Sequence, residues 1–82
     1  MSVKAYVLID VEKGLADTVV AELNHKPGVL TAEPIFGRHD VIALIEAPEF
    51  DGLAAVVRSV IAEADHVTHT ETLVVSMLRH KR

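Results

Sequence analysis

The fold is decided by the segment GRHDVIALIEA, residues 37–47, near the middle of the chain. Its second part, residues 41–47, is an almost unbroken apolar run of strand length, which is typical of a strand buried inside a sheet. Gly37-Arg38-His39-Asp40 before it forms a tight polar connection, and Pro48 after it ends the strand. We therefore predict a central strand that the chain enters through a short turn.

Elements of matching kinds are predicted on both sides of this segment. They are a strand over 3–10, an amphipathic helix of about three turns after Gly14, a strand over 29–36, a second amphipathic helix over 53–64 and a long strand over 66–78. Pro34 cannot donate a ladder hydrogen bond, so the strand over 29–36 is predicted to lie at a sheet edge. The order is β-α-β-β-α-β.

The two halves of the chain match at a constant offset of 38 residues without a gap. Gly14-Leu15-Ala16 meets Gly52-Leu53-Ala54, and Val19 meets Val57. Any two β-α-β units share some apolar positions by chance, but the shared triplet favours a true repeat. Two right-handed β-α-β units interleaved in one antiparallel sheet form the ferredoxin-like α+β fold, which we predict here.

Side chains alternate along a strand, so each face of the predicted sheet can be assigned its own residues. The small residues Val3, Ala5, Val7 and Ile9 suit contact with the helices. The opposite face then carries Tyr6, Leu8, Ile42 and Leu44. An apolar patch of this kind usually marks an interface, so we expect a homodimer formed sheet against sheet. The alternative is an ordinary sheet with a somewhat apolar outer face.

Composition excludes several classes of protein. The 82 residues are one domain by length, with a basic tail at 79–82, and the formal net charge of −4 disfavours nucleic-acid binding. There is no cysteine, which excludes disulfides and thiolate metal sites. No signal peptide and no membrane-spanning stretch is predicted, so we expect a cytoplasmic protein.

The turn Gly37-Arg38-His39-Asp40 is the most concentrated polar set in the chain. Glycine permits a close approach, Asp40 could accept from a ligand ammonium group, and Arg38 could bind a carboxylate through two hydrogen bonds. These groups suit a zwitterionic amino acid. The alternative is a capped β-turn in which the Asp40 side chain supports the backbone.

Other candidate chemistry is weaker. Thr68, Thr70 and Thr72 recur at spacing two and are predicted to share a strand face, where hydroxyls could bind a carboxylate; an edge strand rich in threonine looks the same. His66 and His69 would point to opposite faces of a strand, so we expect no metal site. No catalytic motif or spaced carboxylate pair occurs, and we expect neither a cofactor nor an enzyme.

The sequence resembles the effector-binding (RAM) domain of the Lrp/AsnC, or feast/famine, transcription regulators. Three stretches carry the resemblance: the Gly-x-x-Asp turn 37–40 leading into VIAL, the final-strand pattern VTHTETLVV over 67–75, and Pro27-Gly28-Val29 between first helix and second strand. The resemblance covers essentially the whole chain. Family regulators carry an amino-terminal helix-turn-helix, whereas this sequence begins at the first strand and resembles the stand-alone form.

The resemblance implies dimerisation through the sheets, assembly of dimers to octamers or rings, and amino-acid effectors bound in clefts between dimers. Carried over by residue, the site would use Gly37 to Asp40 with Thr70 and Thr72. His39 stands where the family commonly has tyrosine, which would alter ligand choice or add pH sensitivity.

Three functions follow as hypotheses. The leading one is a ligand-sensing and oligomerisation module in transcriptional regulation. The second is a small dimeric α/β-barrel enzyme, such as a cofactor-free monooxygenase or isomerase, which would need a roomy apolar pocket between sheet and helices. A deep pocket holding a buried histidine would favour it. The third is an adaptor that co-assembles with full-length regulators of the family.

Overall fold

The structure, a computed structural model that describes residues 2–75, has the predicted element order. Its elements are β1 (Val3–Val11), α1 (Ala16–Leu23), β2 (Val29–Pro34), β3 (Val41–Ala47), α2 (Phe50–Val56), a π-helical continuation of α2 (Val57–Ile61) and β4 (Val67–Val74). No helix within residues 2–75 is long and apolar enough to cross a bilayer. The basic tail at 79–82 and the predicted end of the last strand at 76–78 lie outside the described residues.

The four strands form one antiparallel sheet in the order β2-β3-β1-β4. Each half of the chain contributes one central strand and one edge strand, as the repeat predicts. The predicted edge position of the strand containing Pro34 is confirmed, and so is the central position of β3. The ferredoxin-like α+β fold is therefore confirmed.

The face of the sheet that meets the helices consists of small and medium aliphatic residues. Alternate residues of β1 and β3 are buried there, from Val3 and Val41 onward, and Val19 and Leu23 of α1 pack on them. From the second half, Leu53 and Ile61 join the same core. No polar or charged side chain among residues 2–75 is buried, so the described core is held by shape and apolar burial alone.

Both helices differ in length from the prediction. α1 spans 8 residues, a little over two turns, because Asn24 leaves the helix and turns its side chain to β2. α2 begins at Phe50, earlier than expected, since Glu49 is extended and its carbonyl accepts from the N–H groups of Gly52 and Leu53. Its end widens into π geometry, where the Ser59 hydroxyl donates to the Ala55 carbonyl and Ala62 N–H donates to the Val57 carbonyl.

The last strand begins one residue later than predicted and contains an irregularity. His66 has a φ of 74°, which ends the preceding turn in a left-handed conformation and excludes it from the strand. The register with β1 shifts between Asp10 and Val11. The extra residue of this bulge is Thr68 on β4, whose hydroxyl donates to the Asp10 carbonyl.

Candidate functional site

The polar turn 35–40 between β2 and β3 is held by three hydrogen bonds. Ile35 N–H donates to the Asp40 carbonyl at 2.9 Å and closes the turn. Asp40 N–H donates to the Ile9 carbonyl at 3.0 Å, and Asp40 Oδ2 accepts from Val11 N–H at 2.9 Å. The Asp40 side chain therefore supports the end of β1, which is the backbone role that aspartate often has in turns. Gly37 has a φ of +124°, a conformation that favours glycine.

Asp40 also borders an open hollow at this end of the sheet. The hollow has a volume of about 320 Å³ and is lined by Asp40, by the start of α1 at Ala16, and by residues 11–14. Lys13 and Glu12 bring one charge of each sign to it. A small ligand carrying both an ammonium and a carboxylate group would find a partner for each here.

His39 points to a different set of partners on the open face of the sheet. Its Nδ1 lies 2.9 Å from Asp10 Oδ1, and its Nε2 lies 3.7 Å from Glu71 Oε1. A carboxylate can only accept, and a neutral imidazole has one N–H, so it can donate to only one of these two carboxylates at a time. His39 thus connects β1, β4 and the turn.

The two threonines implied by the resemblance lie on β4, across β1 from the turn that holds Asp40. Thr70 and Thr72 share the helix-side face of β4, opposite Ile9 and Val7 respectively. Thr72 lines another hollow, together with Phe50, Leu53, Ala54, Val57 and Val74. Within one chain, the structure therefore brings together His39, Asp40 and their strand partners, and it keeps Thr72 apart from them. Arg38 and Gly37 are exposed at the tip of the turn.

Sequence reasoning missed Asp10 and Glu71, the two carboxylates beside His39. The signal that could have found them is the strand register. Once Ile9 lies opposite Val41, the next residue of β1 must reach the turn, and Glu71 lies across from Leu8. The lengths of the two strands alone do not fix that register.

The described residues form no metal centre. Among residues 2–75, no three histidine, aspartate or glutamate side chains are placed as a group of metal ligands. His66 Nδ1 instead lies 3.2 Å from Glu12 Oε1, on the far side of the bulge from His69. The candidate site consists of hydrogen-bond donors, acceptors and charges around two open hollows, which are groups that can bind a small polar ligand.

Comparison with known proteins identifies the family of this chain. The model of the Lrp/AsnC ligand binding domain matches residues 4–81. No curated protein matches the sequence. Among solved structures, a protein from Thermus thermophilus is similar with a TM-score of 0.86 and 24% identity, covering 96% of this chain and 99% of that one.

Two longer structures share the same fold. AsnC from E. coli has a TM-score of 0.84 and 22% identity, with 98% of this chain and 54% of AsnC covered. A transcriptional regulator from Neisseria meningitidis, solved as a complex with L-Met, has a TM-score of 0.78 and 16% identity, with 95% of this chain and 53% of that one covered. This chain spans about half of each regulator. Because the family model matches nearly its whole length, the chain belongs to the Lrp/AsnC family and forms its ligand-binding domain.

Proposed function

We propose that the chain is an amino-acid-responsive assembly module of transcriptional regulation that works in the cytoplasm as a sheet-to-sheet dimer and in larger rings of dimers. The family to which the chain belongs is a ligand-binding domain of transcription regulators. The observation that carries the proposal is a hollow with both charge signs beside Asp40, in a sheet whose open face is apolar.

The open face supports the dimer. Tyr6 lies directly opposite Leu44 on one side and Leu73 on the other, and Leu8 lies opposite Ile42. Tyr6 is 43% exposed and Leu73 is 47% exposed. The face is thus a continuous apolar patch across three strands, with charged residues at its ends. Such a patch is unfavourable in water, and a second copy of the same face would cover it.

The amino-acid ligand is supported by charge and size. A hollow of about 320 Å³ lies at the small end of the range for ligand sites. Lys13 can bind a carboxylate, while Glu12 and the remaining lone pairs of the Asp40 carboxylate can accept from an ammonium group. One related regulator was solved with L-Met, which favours an amino acid as the class of ligand to test first.

The ligand is tested by thermal-shift measurements with the common amino acids. A ligand present at 100 times its Kd would stabilise the folded state by about 2.7 kcal/mol, which corresponds to roughly 10 °C or more in Tm for a domain of this size. Asp40→Asn is the informative variant, because an amide oxygen can still accept from Val11 N–H while the charge is lost. Asp65→Asn removes one exposed carboxylate elsewhere and is the control.

We expect Asp40→Asn to lose most of the ligand-induced shift and Asp65→Asn to keep it. If no amino acid raises Tm, or if both variants respond as the wild type does, the ligand site is wrong. The shift produced by the ligand is compared within each variant, since the loss of the Asp40 charge changes the starting Tm by itself.

The dimer is tested separately by sedimentation velocity. Leu44→Lys places a charge in the centre of the open face and should give monomers, whereas Thr18→Lys on the exposed side of α1 should leave the mass unchanged. A wild-type chain that sediments as a monomer at micromolar concentration contradicts the dimer. The same face would accept the equivalent domain of a full-length family regulator, which co-purification from the host would reveal.

The enzyme hypothesis gains no support from the geometry. A deep pocket holding a buried histidine would favour it, and no histidine among residues 2–75 is buried.

A further inference from the structure

We infer that the tip of the β2–β3 turn of one copy inserts Phe36 into an apolar cleft beside α2 of a second copy, and that this contact joins dimers into larger assemblies. The inference rests on the proposed assembly function and assigns residues to a contact that the open sheet face does not make. It follows from a protruding aromatic side chain, a cleft that fits it, and opposite charges beside the two.

Phe36 is a protruding side chain on a well-supported turn. It is fully exposed, although it is one of only three aromatic residues in the chain. The turn that carries it is closed by the Ile35–Asp40 hydrogen bond and attached to β1 through Asp40. Little conformational freedom would be lost when Phe36 binds, because the backbone beside it is already ordered.

The cleft lies between α2 and the helix-side face of β4. It has a volume of about 350 Å³; Leu53, 2% exposed, forms its floor, and Phe50, Val57 and Val74 form its walls. Phe50 and Val74 are themselves exposed, at 60% and 43%. The cleft is therefore an apolar site large enough for a phenyl ring, and its lining loses exposed apolar area when the site is filled.

The charges around the two surfaces are complementary. Arg38 is exposed on the turn, two residues after Phe36, and Glu49 and Asp51 are exposed on either side of Phe50 at the mouth of the cleft. None of these three residues forms an ion pair within residues 2–75. A turn that inserts Phe36 would bring its arginine to the two carboxylates.

A chain cannot make this contact with itself. The turn precedes Val41 at one end of β3, whereas Phe50 follows Ala47 at the other end, roughly 20 Å away for a strand of seven residues. The occupant of the cleft must come from another molecule, and a second copy carries the matching aromatic and charge. Because the two partners use different surfaces, the contact can repeat from dimer to dimer and close a ring.

The experiment is sedimentation velocity over a wide concentration range with the variants Phe36→Ser and Phe50→Ser. Both side chains are largely exposed, so neither substitution should disturb folding, which circular dichroism checks. We expect the wild type to form assemblies larger than a dimer, and each variant to stop at the dimer, with association between dimers weakened about thirtyfold or more. An equimolar mixture should regain association, since one variant keeps the turn and the other keeps the cleft.

A charge reversal gives a second test. Arg38→Glu should weaken association between dimers about tenfold, and Arg38→Glu combined with Glu49→Lys and Asp51→Lys should restore most of it. The inference is overturned if the wild type never exceeds a dimer, if Phe36→Ser assembles like the wild type, or if neither the mixture nor the triple variant recovers. Those results leave the ligand site and the sheet-to-sheet dimer standing, because Asp40→Asn and Leu44→Lys test them independently.

Discussion

The first and second strand–helix–strand units share a sequence pattern, but their edge strands β2 and β4 differ in what covers them. At the outer edge of β2, the Asn24 amide donates to the Ala32 carbonyl and accepts from Ala32 N–H, both at 3.0 Å. At the offset of 38 residues, the equivalent positions hold Ala62 and Thr70, and no such bracket covers β4 within the described residues. Within residues 2–75, the edge of the first half is therefore closed by a side chain, and the edge of the second half is not.

The helices of the two units show the same contrast. Val19 of α1 is fully buried, whereas its counterpart Val57 is only half-buried because it lines the α2 cleft. The shared Gly-Leu-Ala triplet also has two roles: Gly14 precedes α1 with a φ of +82°, and Gly52 lies inside α2. The extra turn at the start of α2 carries Phe50, so one wall of the cleft exists only in the second unit.

One backbone feature is kept in both units. Gly28, before β2, has a φ of +90°, and its counterpart His66, before β4, has a φ of 74°. The left-handed turn that follows each helix is thus repeated within the chain, although only one copy has the residue that adopts it at low cost.

Among substitutions that test this comparison, Gly28→Ala should lower the free energy of unfolding the most. A Cβ at position 28 would lie 2.7 Å from Val56 Cγ2, and the backbone there is left-handed. We expect a loss of about 2–4 kcal/mol in the free energy of unfolding, measured by urea denaturation. Gly14→Ala is the control, since its φ of +82° is similar but nothing lies within 4 Å of the added Cβ; its loss should be about 1 kcal/mol. Equal losses would contradict the steric explanation.

Val19→Ala and Val57→Ala compare the two helices at equivalent positions. Removing the buried Val19 methyl groups should cost about 2–3 kcal/mol of unfolding free energy, and removing those of Val57 about half as much, because the open cleft already exposes that side chain. Chemical denaturation of both variants measures the difference. The contrast between a closed and an open unit fails if the two losses are the same.

Asn24→Ala tests the bracket on β2. It removes two partly buried hydrogen bonds, so we expect a loss of about 1–2 kcal/mol in the free energy of unfolding. Hydrogen exchange at the Ala32 amide should accelerate at the same time. Asn24→Asp keeps the acceptor for Ala32 N–H but loses the donor, and it should lie between the wild type and the alanine variant. An unchanged exchange rate would show that the amide does not protect this edge.

His66→Gly should give the smallest change, and in the stabilising direction. Glycine relieves the left-handed conformation, while the exposed contact with Glu12 that is lost contributes little. We expect a gain of about 0.5–1 kcal/mol in the free energy of unfolding, measured by thermal or urea denaturation. Glu12→Gln measures the contact alone. A loss of stability in His66→Gly, with no effect in Glu12→Gln, would mean that the turn does not carry this strain.

Much of the architecture follows from local chemistry. The period-two pattern of β1 and β3 predicted which face is buried, Pro34 predicted an edge strand, and the 38-residue offset predicted how two units interleave. These features are predictable because each depends on one residue's backbone or on alternation along a strand.

Features that depend on register and packing were harder to predict. The start of α2 at Phe50 and its π-helical end arise from competition among hydrogen bonds around Glu49, Ser59 and Ala55. In the candidate site, Gly37 and Asp40 were identifiable as turn residues, but the partners of His39 come from two other strands. The separation of Thr72 from Asp40 likewise depends on which residues of β4 lie opposite β1.

The Asn24 side chain on the outer edge of β2 limits how far this sheet can grow by adding strands. A sheet with two open borders can add strands without end and become a fibre. Here Pro34 and the Asn24 amide block the β2 border, so among residues 2–75 the β4 border is the one that a further strand could extend. If two molecules paired edge to edge through β4, that pairing would use the unblocked border of each described sheet, and the sheet would end at two copies. The blocked β2 edge therefore disfavours growth of this sheet into a fibre.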